Sequence, residues 1–186
     1  MISKTHSQLS DLIGRYALFF MVLSFGLTFV ERLLTAPTIY TLYKTLRLIY
    51  PEVILENIYI FVNGHLFEIS SICMMGAVYW FLLLLVLATA NLRLSTRVLS
   101  IALAWLAVFV FNIIRMILLI SIVNSSYFDS SHWIFENIIA AIVLVLIWWA
   151  IVRLYHIESV PFYSDLKYIQ SITPPPKKRR PISPAT

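Results

Sequence analysis

The chain has 186 residues, 60% of them hydrophobic and 12% charged, with a mean hydropathy of +0.86 and a formal net charge of +5. A soluble globular chain carries about 45–50% apolar and about 25% charged residues, so too little charge remains here to cover a water-soluble particle. Composition therefore argues for a small single-domain membrane protein and against a soluble enzyme or, despite the basic balance, a nucleic-acid-binding protein.

Four stretches are apolar and long enough to cross a bilayer, which takes about 20 residues. They cover 12–30, 74–90, 98–123 and 133–152. The first lacks a small-residue cleavage site and runs directly into Glu31-Arg32, which reads as a span rather than a secretory leader. In the loop that follows, residues 38–50 set Leu42, Leu46 and Ile49 on one helical face, away from Lys44 and Arg47. That pattern predicts a short interfacial helix ended by Pro51. Next, Asn63-Gly64 separates Ile58–Val62 from His65–Ile69. Asn-Gly between β-prone runs predicts a hairpin, because both turn positions need positive φ. The hairpin would return the chain to the membrane just before Cys73, where the second span begins. Ser130 or Asp129 is placed to cap the fourth span. A tail over 161–186 holds five prolines from Thr173 onward and the run Lys177–Arg180. From Thr173 onward the composition predicts an extended segment, drawn to anionic lipid of the inner leaflet. The predicted fold is an all-α membrane protein: a bundle of four transmembrane helices whose external loop carries a short interfacial helix and a β-hairpin.

Basic residues set the expected topology. With a cytoplasmic N-terminus, Lys4, Arg15, Arg93, Arg97, Arg153, Lys167, Lys177, Lys178, Arg179 and Arg180 all lie inside. Only Arg32, Lys44 and Arg47 lie outside, and Arg115 lies within the third span. The bias toward the cytoplasm predicts a multi-pass cell-membrane protein with both termini inside.

Three residues carry chemistry that the topology places in the outer half of the membrane. Arg115 costs about 2.5–3.5 kcal/mol at a helix centre, which calls for a polar pocket between helices. Asn112, three residues earlier, shares its face. Cys73 is the only cysteine. A thiol attacks as its thiolate, which a neighbouring Arg or protonated His favours. His132 precedes the fourth span, with Asp129 and Glu136 within reach to orient its ring. Cys73, Arg115 and His132 together suit a nucleophile, an oxyanion-stabilising cation and a proton carrier. Each also has a plain structural reading: a packed thiol, a helix-pinning cation and an interfacial histidine. His6, His65 and His156 are dispersed, so no metal site is expected. With glycine at four positions there is little from which to build a nucleotide loop, and no cofactor is expected.

Residues 58–152 resemble the exosortase/archaeosortase family of membrane cysteine transpeptidases and proteases. The resemblance rests on the Gly-turn segment leading into Cys73, on Asn112-Ile113-Ile114-Arg115, and on Phe128-Asp129-Ser130-Ser131-His132 before the last span. It implies a catalytic triad of Cys73, Arg115 and His132 facing outside. The implied substrates are secreted proteins with C-terminal sorting signals, cleaved through a thioester at Cys73. The acyl group would pass to a lipid or glycan acceptor or to water. The rival readings are a non-catalytic membrane scaffold, with Arg115 as helix glue, and a small transporter using Arg115 for anions. A transporter would show further intramembrane polar groups or a broken-helix repeat.

Overall fold

The computed structural model describes residues 2–159 and 161–172, so the segment expected to be extended from Thr173 onward, with Lys177–Arg180, lies outside the described residues. The chain begins with a long helix α1 (Ile2–Ile49), followed by three short strands, β1 (Val53–Glu56), β2 (Tyr59–Val62) and β3 (His65–Glu68). A 3-10 turn over Ser71–Met74 leads into α2 (Gly76–Ala88), and α3 (Leu94–Ser121) follows. α4 (Phe128–Ile134) passes through a π-helical turn, Phe135–Ile139, into α5 (Ala140–Leu154). A last helix, α6, covers Tyr163–Ile172.

Among the described residues three helices, not four, are long and apolar enough to cross a membrane: Ser10–Ile49, Leu94–Ser121 and Phe128–Leu154. The expected second span, 74–90, is present as a shorter apolar helix, so the count of four is not confirmed. Met75 takes a left-handed conformation, which ends the 3-10 turn, and Thr89 turns extended at the other end. That leaves a helix of 13 residues, about 20 Å long where a hydrocarbon core is about 30 Å thick. α2 runs antiparallel to α1. The Arg15 side chain donates to the Ala88 carbonyl at one end, and Gly76 packs against Glu31 and Leu27 at the other.

α1 also departs from expectation. Residues 31–37 are helical rather than loop, and the helix is broken only at Gly26, where φ is 70° and ψ 175°. The segment 38–49 is therefore part of α1 and not a separate helix lying on the membrane surface. Leu42 and Leu46 are fully buried, against Ile60 and Val62 of the sheet, Met74, and Ile113, Met116 and Ile120 of α3. Full burial of a leucine side chain stabilises by about 1.5–3 kcal/mol, which the sheet and α3 supply here. Ile49, expected on the same face, is exposed.

The hairpin forms as expected: β2 and β3 pair antiparallel with Val62 opposite His65, and Asn63 and Gly64 both take positive φ. Sequence reading missed β1, which pairs with the other side of β2 around Asn57, at φ 60°. The sheet order is β1-β2-β3. A second core lies below this one, where Val30 and Leu34, Val78 and Leu82, and Ala104 and Val108 bring α1, α2 and α3 together.

The last apolar helix starts at Phe128, earlier than the expected 133, with Tyr127 as its uncapped N-terminal residue. Asp129 and Ser130 lie inside its first turn rather than capping it. Residues 163–172, at the start of the expected tail, form α6. Its Asp165 is buried and receives Arg15 in two bonds, Nη2 to Oδ1 at 2.7 Å and Nη1 to Oδ2 at 3.1 Å, with the Tyr16 hydroxyl on Oδ2 at 3.1 Å. Arg97 is buried nearby and donates to the Thr89 carbonyl at 3.1 Å. This end of the bundle is thus held by cations, and the sheet stands at the other.

Candidate functional site

Cys73 is placed by the hairpin. β3 ends at Glu68, and the chain turns at once into the 3-10 segment, where the Cys73 N–H donates to the Ser70 carbonyl at 3.0 Å. The half-buried thiol lies 3.6 Å from the Ser70 hydroxyl. Arg115 comes from the upper half of α3 and is 1% exposed. Its Nε has no hydrogen-bond partner, and no ion pair or hydrogen bond of its guanidinium is found among the described residues. His132 comes from α4, with its Nδ1 3.6 Å from Glu136 Oε2. Of the two carboxylates expected to orient this ring, Glu136 is the one beside it, whereas Asp129 is exposed.

All three predicted residues line one cavity of about 120 Å³, whose remaining wall includes Phe67, Glu68 and Ile69 at the end of β3 and Phe128 of α4. No hydrogen bond joins the three to one another among the described residues. A proton carrier needs about 2.6–3.2 Å to its partner, a distance that free sites often reach only with substrate in place. Arg115 and Cys73 share the wall of this cavity, so a thiolate at Cys73 would face a guanidinium charge.

Arg115 is also a wall between two spaces. Behind it lies a second cavity of about 320 Å³, lined by Glu31, Ser71, Gly76, Glu136 and Asn137 among others. Gly76 makes this approach possible, since a Cβ there would come within 2.6 Å of Glu31 Cγ. Asn112, expected to line Arg115's pocket, is 0% exposed and absent from both walls, with its amide nitrogen and oxygen both unpartnered. Burying an unsatisfied polar group costs about 1–3 kcal/mol. Asn112 and Arg115, one turn apart, thus form an unpaid polar seam inside α3.

Sequence reading missed Ser70, the β3 residues in the wall, and Glu31. Glu31 carried a signal, as a carboxylate closing an apolar run, but nothing local tied it to Gly76. The π-helical turn was also unforeseen; such turns add one residue per turn and are frequent at functional sites. Glu136 lies in it, beside His132 and in the wall of the second cavity. No group of three or more potential metal-ligating side chains occurs among the described residues. Comparison with protein-family models, with curated proteins and with solved structures finds no match to the chain.

Proposed function

We propose that the protein is a membrane-embedded cysteine transpeptidase or protease of the exosortase/archaeosortase type. It cleaves C-terminal sorting signals of secreted proteins at the outer face of the cell membrane. The observation that carries this reading is convergence. The only cysteine, a buried arginine with no ion pair among the described residues and a histidine, from three separate elements, line one cavity.

In this mechanism His132 takes the Cys73 thiol proton, and the thiolate attacks the scissile carbonyl to form a C–S bond. Arg115 stabilises the oxyanion. The C–N bond then breaks, His132 returns the proton to the leaving amine, and a thioester remains on Cys73. A hydroxyl or amine of a lipid or glycan acceptor, or water, attacks the thioester and releases the thiol. Glu136 holds the imidazole ring.

Depth supports the assignment. Arg97 and Arg115 are 18 residues apart on α3, a rise of about 27 Å against a hydrocarbon thickness of about 30 Å. If the Arg15–Arg97 end marks the cytoplasmic boundary, as the basic residues favour, the cavity opens at the outer boundary. Both termini are then cytoplasmic, because α2, though short, carries the chain from the sheet end back to the Arg15 end.

The test is substitution at Cys73. Cys73→Ala and Cys73→Ser are expected to leave membrane abundance unchanged and to abolish removal of C-terminal signals from the cell's secreted proteins, read by mass spectrometry of their C-termini. Processing at normal levels in Cys73→Ala would refute the enzyme reading and favour the scaffold.

A further inference from the structure

β3 is an edge strand, paired on one side only. The phase of its ladder decides which backbone groups are free. A two-residue turn makes Val62 and His65 a hydrogen-bonded pair, and such pairs alternate along an antiparallel ladder. Ile60 and Phe67 are the next, then Ile58 and Ile69, and the Ile69 N–H indeed donates to the Ile58 carbonyl at 2.9 Å. Leu66 and Glu68 therefore direct their N–H and C=O groups away from β2. Neither has a backbone hydrogen bond outside the sheet among the described residues, and both side chains are exposed. Two residues beyond Glu68 the chain enters the turn that holds Cys73. Phe67, Glu68 and Ile69 stand in the same cavity wall as Cys73, Arg115 and His132.

We propose that an extended segment of the polypeptide substrate pairs with this free edge of β3 as a fourth strand, at Leu66 and Glu68, and is thereby led to Cys73. The inference rests on the reading of Cys73 as the nucleophile and adds how its substrate is held. A peptide is the occupant the edge selects. Two donor–acceptor sites two residues apart, about 6.8 Å along a strand, match another backbone, whereas a lipid chain has no such series. Main-chain bonds supply affinity in this mode, and alternate side chains of the added strand supply selectivity. Phe128 and His132 of α4 line the same cavity. The edge is thus continuous with the reacting thiol rather than a remote surface.

The experiment uses the full chain in detergent micelles and acetyl-tetra-alanine aldehyde as probe. The Cys73 thiol adds to the aldehyde carbonyl, sulfur bonding to carbon and the thiol proton going to oxygen, which intact mass detects. The control probe carries N-methylated backbone amides. Hydrogen exchange of the Leu66 and Glu68 amides is expected to slow at least tenfold with the first probe and to stay unchanged with the second. The second probe is expected to bind at least tenfold more weakly. Leu66→Pro removes an outward donor without touching the β2 ladder, so it should behave as N-methylation does, while Leu66→Ala should bind normally. Equal adduct formation by both probes with unchanged exchange overturns the edge pairing and leaves Cys73 a nucleophile. Protection without an adduct upholds the pairing and counts against the catalytic reading. Protection that rises with protein concentration in the absence of probe assigns the edge to a second copy and overturns the proposal, as does the absence of both adduct and protection.

Discussion

At the scale of one residue, Arg115 is where the proposed function and stability would pull apart. Its guanidinium is buried without an ion pair among the described residues, beside an Asn112 amide that is also unsatisfied. Replacing buried ionic groups by apolar residues of similar volume often stabilises by about 1–4 kcal/mol. Arg115→Leu is therefore expected to raise the melting temperature in micelles while abolishing signal processing; a lower melting temperature would mean that Arg115 is a structural pin. His132→Ala is expected to slow processing by about 10²–10⁴-fold, the usual worth of a positioned acid–base group. Glu136→Gln should cost less, because it removes a neighbour of the ring and not the ring itself. Single residues were the most legible feature of the sequence. A cation inside an apolar run and a lone thiol need explanation wherever they occur, whereas Ser70 and Glu31 are ordinary residues until the fold places them.

Elements were legible where local chemistry determines them. Asn63-Gly64 specifies its own turn, and the hairpin formed around it. The run 74–90 is apolar throughout, so nothing in its hydropathy signalled the left-handed Met75 or the extended Thr89 that shorten α2. The 38–50 segment had an amphipathic pattern, but the pattern does not say whether membrane or protein covers it; the sheet does. Gly26 offers a clean test of the break in α1. Its φ and ψ lie in a region only glycine adopts readily, and a Cβ there would meet nothing within 4 Å. Gly26→Ala should therefore destabilise through the backbone alone, by about 1–3 kcal/mol, read as a fall in melting temperature. The Arg15–Asp165 pair tests α6 in the same way. Both side chains are buried, but Arg15 also pairs with Asp11 at 2.9 Å, so Asp165→Ala leaves the cation one carboxylate and is expected to cost less than the about 3–5 kcal/mol of a fully broken buried pair. Asp165→Ala with Arg15→Leu should recover much of that loss; no recovery would show that the pair does not hold α6.

For the whole molecule, composition pointed to a membrane protein and the basic residues to an expected orientation, but the number of crossings depends on where helices stop. The fold has a cation-held end and a sheet-covered end, with the Cys73 cavity beside the sheet. The proposed topology predicts that a membrane-impermeant maleimide labels Cys73 from outside intact cells, whereas a cysteine introduced at Ser164 in a Cys73→Ala background reacts only after lysis. The reverse pattern would invert the protein. The central claim is that Cys73 carries the substrate as a thioester. Its most direct test is the intact mass of the protein taken from rapidly quenched cells, before and after hydroxylamine. An added mass on Cys73 is expected that hydroxylamine removes, that is absent from Cys73→Ala, and that accumulates when the acceptor is depleted. A protein that stays at its unmodified mass under all these conditions, while sorting signals are still being removed, would contradict it.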